Sequence, residues 1–266
     1  MAGRKKAAAK WPFAYSAVGL NTDTNLIKLI AMIAMLIDHT GKMFFHQYNI
    51  MRIIGRIAFP IYAYCIAAGC VYSKNHLRYL SRIALIGLVS QPFYAVALAH
   101  TNRQMYEIAF RSHPIRAILH FYVNSWGHPN VMLTLALGLL VIWTIRERQL
   151  VLTAALALLV WKIQGSIDYG YRGVLLIVLF YLFCTRWWLS LPVVFIYMFW
   201  WGMRSGSYQL FGIRFGIQMF AIMALPVIYI PTHSNLRINK WVFYLFYPAH
   251  LIGMMLVEMA MRGLQP

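Results

Sequence analysis

Acidic residues are scarce in this sequence: the 266-residue chain has six of them against 24 lysines and arginines. Charged residues of both signs amount to 11% of the chain, whereas a soluble protein averages about 25%. This composition argues against a soluble domain. The basic residues are spread over short loops with no patch interleaved with aromatic residues, so nucleic acid is not an expected partner despite the net charge of +18.

Cysteine is scarce as well, and Cys65, Cys70 and Cys184 all fall inside apolar segments. Their odd number argues against a disulfide framework, and Cys65 and Cys70 lack the spacing of metal ligands. The histidines show no HxxxH or ExxH spacing either, so no metal is expected.

Apolar residues are abundant and make up 61% of the chain. Runs such as LTLALGLLVIW do not alternate as barrel strands would. Charged or Pro/Gly-bearing breaks give about nine segments, several of them short for a bilayer core that takes about twenty residues, so eight to ten helices also fit. The sequence predicts an all-α fold, a polytopic transmembrane helical bundle. Its segments are 26–46, 51–73, 77–99, 130–146, 149–164, 171–186, 187–203, 213–231 and 241–261.

The basic residues suggest an orientation for this bundle. Residues 1–25 are predicted to be a basic cytoplasmic tail ahead of a single transmembrane domain, 26–266. The positive-inside rule puts the groups at 74–82, 146–148 and 237–240 on the cytoplasmic side. The positive charge of the loops is explained by membrane topology and by attraction to anionic lipid headgroups. Part of it is also available to bind an anionic substrate or cofactor. Between two segments, about 108–124 has the pattern of an interfacial helix that could cover a site.

An ionisable pair, Asp38 and His39, lies inside the first segment, NLIKLIAMIAMLIDHTGKMFF. A central Asp alone is unfavourable by roughly 2.5–3.5 kcal/mol. Adjacent helical residues point about 100° apart, so one of the pair could face a reaction site while the other contacts a neighbouring helix. A neutral histidine can act as a general base once a carboxylate fixes its tautomer. The alternative is a polar clamp between helices.

Two further segments carry polar residues at their starts. Arg56, four residues before Pro60, could either snorkel to the interface or hold an anionic group. Asn130 and Thr134 share one helical face at a helix start, where free N–H groups suit a carbonyl oxygen or oxyanion. For Asn130 the alternative is a plain N-cap.

The last candidates come from the sixth and the final segments. Asp168 and Tyr169 stand at the start of a helix, where Asp168 is either an N-cap or a carboxylate that orients the base. His250 lies about as deep in the final segment as His39 does in the first, which favours a shared polar cavity. From the residues alone, an enzyme, a proton-coupled transporter and a lipid-handling scaffold all remain possible. A transporter is expected to show paired discontinuous helices in two halves, and no such symmetry is visible.

Six stretches of the chain together resemble the TraX family, known for N-terminal acetylation of conjugative pilin. They occur in the family's order between residues 27 and 253: IKLIAMIAMLIDHTG, GRIAFPIYAYCIAAG, YLSRIALIGLVSQPF, NVMLTLALG, DYGYRGVL and FYLFYPAHL. The resemblance implies kinship with transmembrane acyltransferases, which take an acyl group from acyl-CoA. It therefore implies a multi-pass enzyme of the bacterial inner membrane, with acetyl-CoA as co-substrate and a pilin, glycan or lipid headgroup as acceptor.

The resemblance also implies roles for the matching positions. His39, oriented by Asp38 or Asp168, would take a proton from the acceptor, and Asn130 or Arg56 would stabilise the oxyanion. Whether His39 itself carries an acyl group stays open. The other residues implied to bind substrate are Thr134, Tyr169, Tyr247 and His250. The cations expected to meet the phosphates of CoA are Arg78, Arg82, Arg148 and Lys240.

Overall fold

The structure is a computed structural model that describes residues 12–13, 15, 17–98, 114–204, 206, 208–210 and 212–263. It is mostly helical, which confirms the all-α part of the predicted fold class. The α-helices are α1 (Thr24–Met43), α2 (Asn49–Gly55), α3 (Ala58–Tyr72), α4 (His76–Ala97), α5 (Pro114–Ser125), α6 (Val131–Arg146), α7 (Leu150–Ile163), α8 (Gly170–Leu182), α9 (Trp187–Gly202), α10 (Leu225–Tyr229) and α11 (Lys240–Gly263). The strands β1 (Tyr208–Leu210) and β2 (Ile213–Phe215) and a 3₁₀ helix (Ile217–Ala224) precede α10.

Three helical stretches in the described part of the chain are long and apolar enough to cross a membrane. They are Asn49–Tyr72, His76–Ala97 and Lys240–Met261. The apolar helices α6 to α9 are shorter. The chain is thus a helical membrane protein, and a bundle of about nine spanning helices stays a prediction.

Helix α3 is the centre of the packing and contacts α1, α6, α8 and the 3₁₀ helix. Its small residues, among them Ala63, Ala67 and Cys70, are completely buried. Small side chains let helices approach closely, which supplies the packing contacts that drive helix association in a bilayer. Helices α7 and α9 instead expose large apolar residues such as Val151, Trp161 and Ile196, as expected of surfaces in contact with lipid.

The second predicted segment, 51–73, is broken into α2 and α3 at Arg56 and Ile57. The amides of both residues donate to carbonyls three positions earlier, so the chain tightens and turns there. Pro60 does not kink a continuous helix. It is the third residue of α3, where a backbone N–H is not needed for an intrahelical bond. The break leaves Arg56 at a junction between two helices.

The eighth predicted segment, 213–231, is also different in the structure. It begins with β2, the second strand of the antiparallel β1–β2 hairpin in which Tyr208 pairs with Phe215, and continues as the 3₁₀ helix and α10. The hairpin turn contains Gly212 with a φ of 80°, a conformation that favours glycine. The predicted interfacial helix at 108–124 overlaps α5, which exposes Ile115, Leu119 and Val123; its residues 108–113 lie outside the described part.

The segment just before α1 packs against the rest of the protein. Val18, Leu20 and Asn21 are buried. The Asn21 side-chain amide donates to the carbonyls of Val227 and Ile230 at 3.2 and 2.8 Å. Residues 1–11 lie outside the described part, so a basic cytoplasmic tail stays a prediction.

Asp23 links this segment to the connection before α11. Its carboxylate accepts from the backbone amide of Leu26 at 3.3 Å, as an N-cap does, and from that of Ser234 at 2.6 Å. Hydrogen bonds from Ser234 hold the pKa of the Asp23 carboxyl below its usual range. The start of α1 is thereby fixed to the C-terminal part of the chain.

Candidate active site

A cavity of about 110 Å³ with many polar lining residues lies where α1 and α2 end and α3 begins. Helices α4 and α11 and the loop before α8 close its other sides. We call it the polar cavity. Its ionisable and phenolic lining residues are Asp38, His39, Lys42, Arg52, Arg56, Tyr62, Tyr94, Asp168, Tyr169 and Tyr247.

Asp38 forms ion pairs with two arginines of the α2–α3 junction. Its carboxylate oxygens accept from Arg56 Nη2 at 2.7 and 2.8 Å and from Arg52 Nη1 at 3.2 Å. Arg56 Nε in turn donates to the Arg52 carbonyl at 3.2 Å. Asp38 and Arg56 are 8% and 9% exposed. The carboxylate therefore joins α1 to α2, and its hydrogen bonds go to these arginines rather than to His39.

The close approach of the two helices depends on Gly55. A Cβ atom at this position would overlap the side chain of Asp38. Only a residue without a side chain lets the end of α2 come this near to α1. The approach puts both arginines within reach of one carboxylate.

His39 points toward α11, where its Nδ1 lies 2.8 Å from Nε2 of His250. The Nδ1 of His250 lies 2.8 Å from the backbone carbonyl of Phe246. A carbonyl only accepts, so His250 Nδ1 carries the proton and, in the neutral ring, Nε2 is the acceptor. His39 must then donate from Nδ1. This chain of hydrogen bonds leaves His39 with its lone pair on Nε2, the form that can take up a proton.

Asp168 and Tyr169 reach the cavity through a strained turn before α8. Tyr169 has a φ of 61°, in the left-handed region that costs a residue with a side chain about 1–2 kcal/mol. Its ring stacks on Phe59 with centroids 3.8 Å apart. The hydroxyl of Thr134 donates to the backbone carbonyl of Asp168. Thr134 thus stabilises the turn but does not line the polar cavity, whereas Asp168 and Tyr169 do.

Asn130 lies outside the polar cavity and caps α6. Its side-chain oxygen accepts from the Met132 amide at 3.0 Å, and its side-chain nitrogen donates to Gly87 O and Gln91 Oε1 at 2.8 and 2.9 Å. These bonds tie α6 to α4. With its side chain occupied in this way, Asn130 is not placed to receive an oxyanion.

The hydroxyl of Tyr247 is buried in the cavity wall. Tyr247 is 1% exposed, and its oxygen has no hydrogen-bond partner among the described residues. A buried polar group without a partner costs about 1–3 kcal/mol. Such a cost is tolerated where a ligand supplies the missing bond.

Four cavity residues were missed by the sequence reasoning. Lys42 and Arg52 each had a spacing signal, since they stand four residues from Asp38 and Arg56 and therefore share a helical face with them. Tyr62 and Tyr94 had none, because only the packing of α3 and α4 brings them to the cavity.

The cations expected to bind phosphate are not all together. Arg78 and Arg82 line a cleft of about 400 Å³ with Lys28 and Lys74, which we call the basic cleft. Lys240 lines a neighbouring cavity of about 120 Å³ whose walls are mostly apolar, the apolar cavity.

Arg148 lies in the turn between α6 and α7, with a φ of 62°, and lines none of the three cavities. Within the described residues, no group of three or more His, Cys, Asp or Glu side chains is arranged to hold a metal ion.

Comparisons with known proteins support the family resemblance that the sequence motifs indicate. The family described as TraX protein matches residues 23–258. The chain belongs to the TraX family. The match includes every residue that lines the polar cavity.

Two curated relatives of this TraX-family chain are similar over shorter stretches. A probable fimbrial assembly protein FimC, serogroup H1, from Dichelobacter nodosus is 32% identical over 118 residues, 43% of either chain. The uncharacterized protein RP591 of Rickettsia prowazekii (strain Madrid E) is 34% identical over 122 residues, 42% of this chain and 45% of the relative. The chain thus spans less than half the length of these relatives. No solved structure matches.

Proposed function

We propose that this TraX-family protein is a membrane-bound acyltransferase that moves an acyl group, in the first place acetyl, from acyl-CoA to an amine or hydroxyl. The observation that carries the proposal is the chain from His39 through His250 to the Phe246 carbonyl, which leaves a proton-accepting nitrogen on a residue that lines the polar cavity. A histidine held in one tautomer by a second hydrogen bond is the usual form of a general base.

In the proposed reaction, His39 Nε2 takes a proton from the acceptor as the acceptor attacks the thioester carbonyl. The carbonyl oxygen becomes an oxyanion, and the unpartnered Tyr247 hydroxyl supplies a hydrogen bond to it. The carbon–sulfur bond then breaks, and the proton on His39 passes to the departing thiolate. The products are the acylated acceptor and free CoA, with no covalent enzyme intermediate required.

The charged residues around the cavity suit this chemistry. Two carboxylates, Asp38 and Asp168, face three cations, Lys42, Arg52 and Arg56. The surplus positive charge stabilises an oxyanion in a site partly shielded from water. Asp38 acts as a positioning residue, since it holds the arginines in place rather than orienting the base.

We assign the phosphates of acyl-CoA to the basic cleft. Arg78, Arg82, Lys28 and Lys74 can give charge-assisted hydrogen bonds to phosphate oxygens. CoA is a cytoplasmic metabolite, so the cleft and the N-terminus would face the cytoplasm, and the protein would reside in the bacterial inner membrane. This assignment agrees with the positive-inside rule.

For the acceptor we propose a pilin N-terminus. The family is associated with pilin modification, and one relative is named a probable fimbrial assembly protein. A surface glycan and a lipid headgroup offer the same nucleophiles, an amine or a hydroxyl. All three are therefore offered as acceptors in the transfer assay.

The test is transfer from radiolabelled acetyl-CoA by purified protein to a pilin N-terminal peptide, a glycan fraction or lipid vesicles. His39→Ala should lower transfer at least about 10²-fold, the usual contribution of a general base. His46→Ala is the matched control, because His46 is exposed and outside the polar cavity. Near-normal transfer by His39→Ala would exclude His39 as the general base. Proton flux into vesicles without release of CoA would contradict the enzyme proposal and favour a transporter.

A further inference from the structure

The basic cleft, the apolar cavity and the polar cavity form a series. Lys28, Cys65 and Tyr79 line both the basic cleft and the apolar cavity. Tyr62 lines both the apolar cavity and the polar cavity. Each cavity is therefore adjacent to the next.

Helix α3 runs along all three cavities in order. Phe59 near its start lines the polar cavity, Ile66 in its middle lines the apolar cavity, and Gly69 and Tyr72 near its end line the basic cleft. On α1 the same order runs from His39 back to Lys28, a separation of about 16 Å along the axis at about 1.5 Å per residue. The three cavities therefore follow one another along the length of α3 instead of clustering at one position.

The chemistry changes along the series. One end carries four cations, the middle is lined mostly by aliphatic and aromatic side chains such as Ile83 and Phe243, and the far end holds His39. A ligand that fits this order has an anionic head, a slender chain of mixed polarity and a reactive tip. The pantetheine arm of CoA has about the length of four extended residues, about 14 Å at about 3.6 Å each, which is comparable to the separation along α1.

We propose that the apolar cavity is the passage for the pantetheine arm and that Tyr62 is the constriction through which the thioester enters the polar cavity. This inference rests on the proposed function. Under it, the nucleotide stays in the basic cleft while only the thioester reaches His39. Tyr62 acts as a positioning residue, because it sets the line along which the thioester reaches the base.

The native cysteines provide a test that needs no turnover. Cys65 lines the passage at its border with the basic cleft, whereas Cys70 and Cys184, also buried, line none of the three cavities and serve as internal controls. The full-length protein in nanodiscs is treated with N-ethylmaleimide, and modification at each cysteine is measured by peptide mass spectrometry. The ligands compared are a thioether analogue of acetyl-CoA and adenosine 3′,5′-bisphosphate, which has phosphates but no arm.

We expect the thioether analogue to slow modification of Cys65 at least fivefold, and the bisphosphate to slow it less than twofold. Cys70 and Cys184 should react at the same rate with either ligand. Equal slowing of Cys65 modification by both ligands, or by neither, would contradict the proposed pantetheine passage. If short-chain phospholipid slows Cys65 modification and the analogue does not, the apolar cavity binds lipid and the passage is excluded as well. Since no transfer is measured, these outcomes are independent of the proposed activity.

A second test concerns the constriction. Tyr62→Trp should lower transfer at least tenfold while the bisphosphate still binds within twofold of the wild-type affinity, which also shows that the protein is folded. Tyr62→Phe should recover transfer to within threefold, because it keeps the ring. Unchanged transfer with Tyr62→Trp would exclude Tyr62 as the constriction. If that variant fails to bind the bisphosphate, modification of Cys65 in the wild-type protein decides the proposal.

Discussion

Replacing Asp38 with asparagine removes the charge that Arg52 and Arg56 share. The side chains of Asp38 and Arg56 are 11% and 10% exposed, so screening by water is limited for this pair, whereas Arg52 at 26% is better solvated. Asparagine has nearly the same size and still accepts a hydrogen bond, so the loss is mainly of charge. The guanidinium of Arg56 would be left buried without a counterion.

Breaking a buried ion pair from one side costs about 3–5 kcal/mol, because it leaves an uncompensated charge. We expect Asp38→Asn to destabilise the protein by about that much, most of it through Arg56. The double variant Asp38→Asn/Arg56→Met removes the stranded charge and should recover a large part of the loss. The non-additivity of the cycle then measures the coupling between the two residues.

The assay is reversible unfolding of the purified protein in detergent for the wild type, both single variants and the double variant. His39→Ala is the comparison, since leaving Nε2 of the buried His250 without a partner should cost about 1–3 kcal/mol, less than stranding a charge. An Asp38→Asn variant within about 1 kcal/mol of the wild type would contradict the ion-pair reasoning, as would a double variant no more stable than Asp38→Asn alone.

Three further outcomes are expected. Tyr247→Phe should lower transfer by about 10²-fold or more, the scale of one lost oxyanion donor, without loss of stability, since its hydroxyl has no partner to lose. Arg78→Glu combined with Arg82→Glu should weaken acyl-CoA binding more than tenfold, and the defect should grow as salt is lowered. The lowered pKa of Asp23 means that its bond to Ser234 stabilises the fold above the unfolded pKa of about 4 and is lost as pH falls through the lower folded value. Proteolysis of the connection before α11 should therefore accelerate below pH about 4, and Asp23→Asn should flatten this dependence.

Matched variants separate these effects from general damage. Tyr181→Phe removes a buried hydroxyl that donates to Phe13 O at 2.6 Å, away from the polar cavity, and should cost stability but not transfer. Arg148→Glu changes a cation outside the three cavities and should leave acyl-CoA binding within twofold. If Tyr247→Phe proves no worse than Tyr181→Phe in transfer, its oxyanion role is excluded. If Arg78→Glu combined with Arg82→Glu changes acyl-CoA binding no more than Arg148→Glu does, the basic cleft does not bind the phosphates.

Much of the helical layout could be predicted from apolar runs alone. The bounds expected for α4, α6 and α9 differ from those in the structure by at most two residues. The N-cap alternative for Asn130 also agrees with the structure, because a short side chain that accepts from a nearby amide is a local interaction. Local signals of this kind depend on a few neighbouring residues and are present in the sequence itself.

The partners of the polar residues could not be predicted in the same way. Adjacent positions on α1 were expected to diverge, and Asp38 does turn toward α2 while His39 turns toward α11. Both still line one cavity, because the cavity lies between those two helices. That arrangement depends on the break at Arg56, which lies inside one predicted segment where Gly55 and Pro60 are only weak signals of a break. The β1–β2 hairpin was missed because its strands are only three residues long and the apolar 3₁₀ helix and α10 follow it after one residue.

The contact between Gly55 and Asp38 has a consequence for how this protein family varies. A methyl group at position 55 would overlap Cβ of Asp38, an atom that every residue except glycine carries. Shortening the side chain at position 38 therefore gives no room for alanine at 55, and position 55 is confined to glycine for as long as α1 and α2 approach this closely. Glycine should therefore be retained at 55 among related sequences even where the residue at 38 changes.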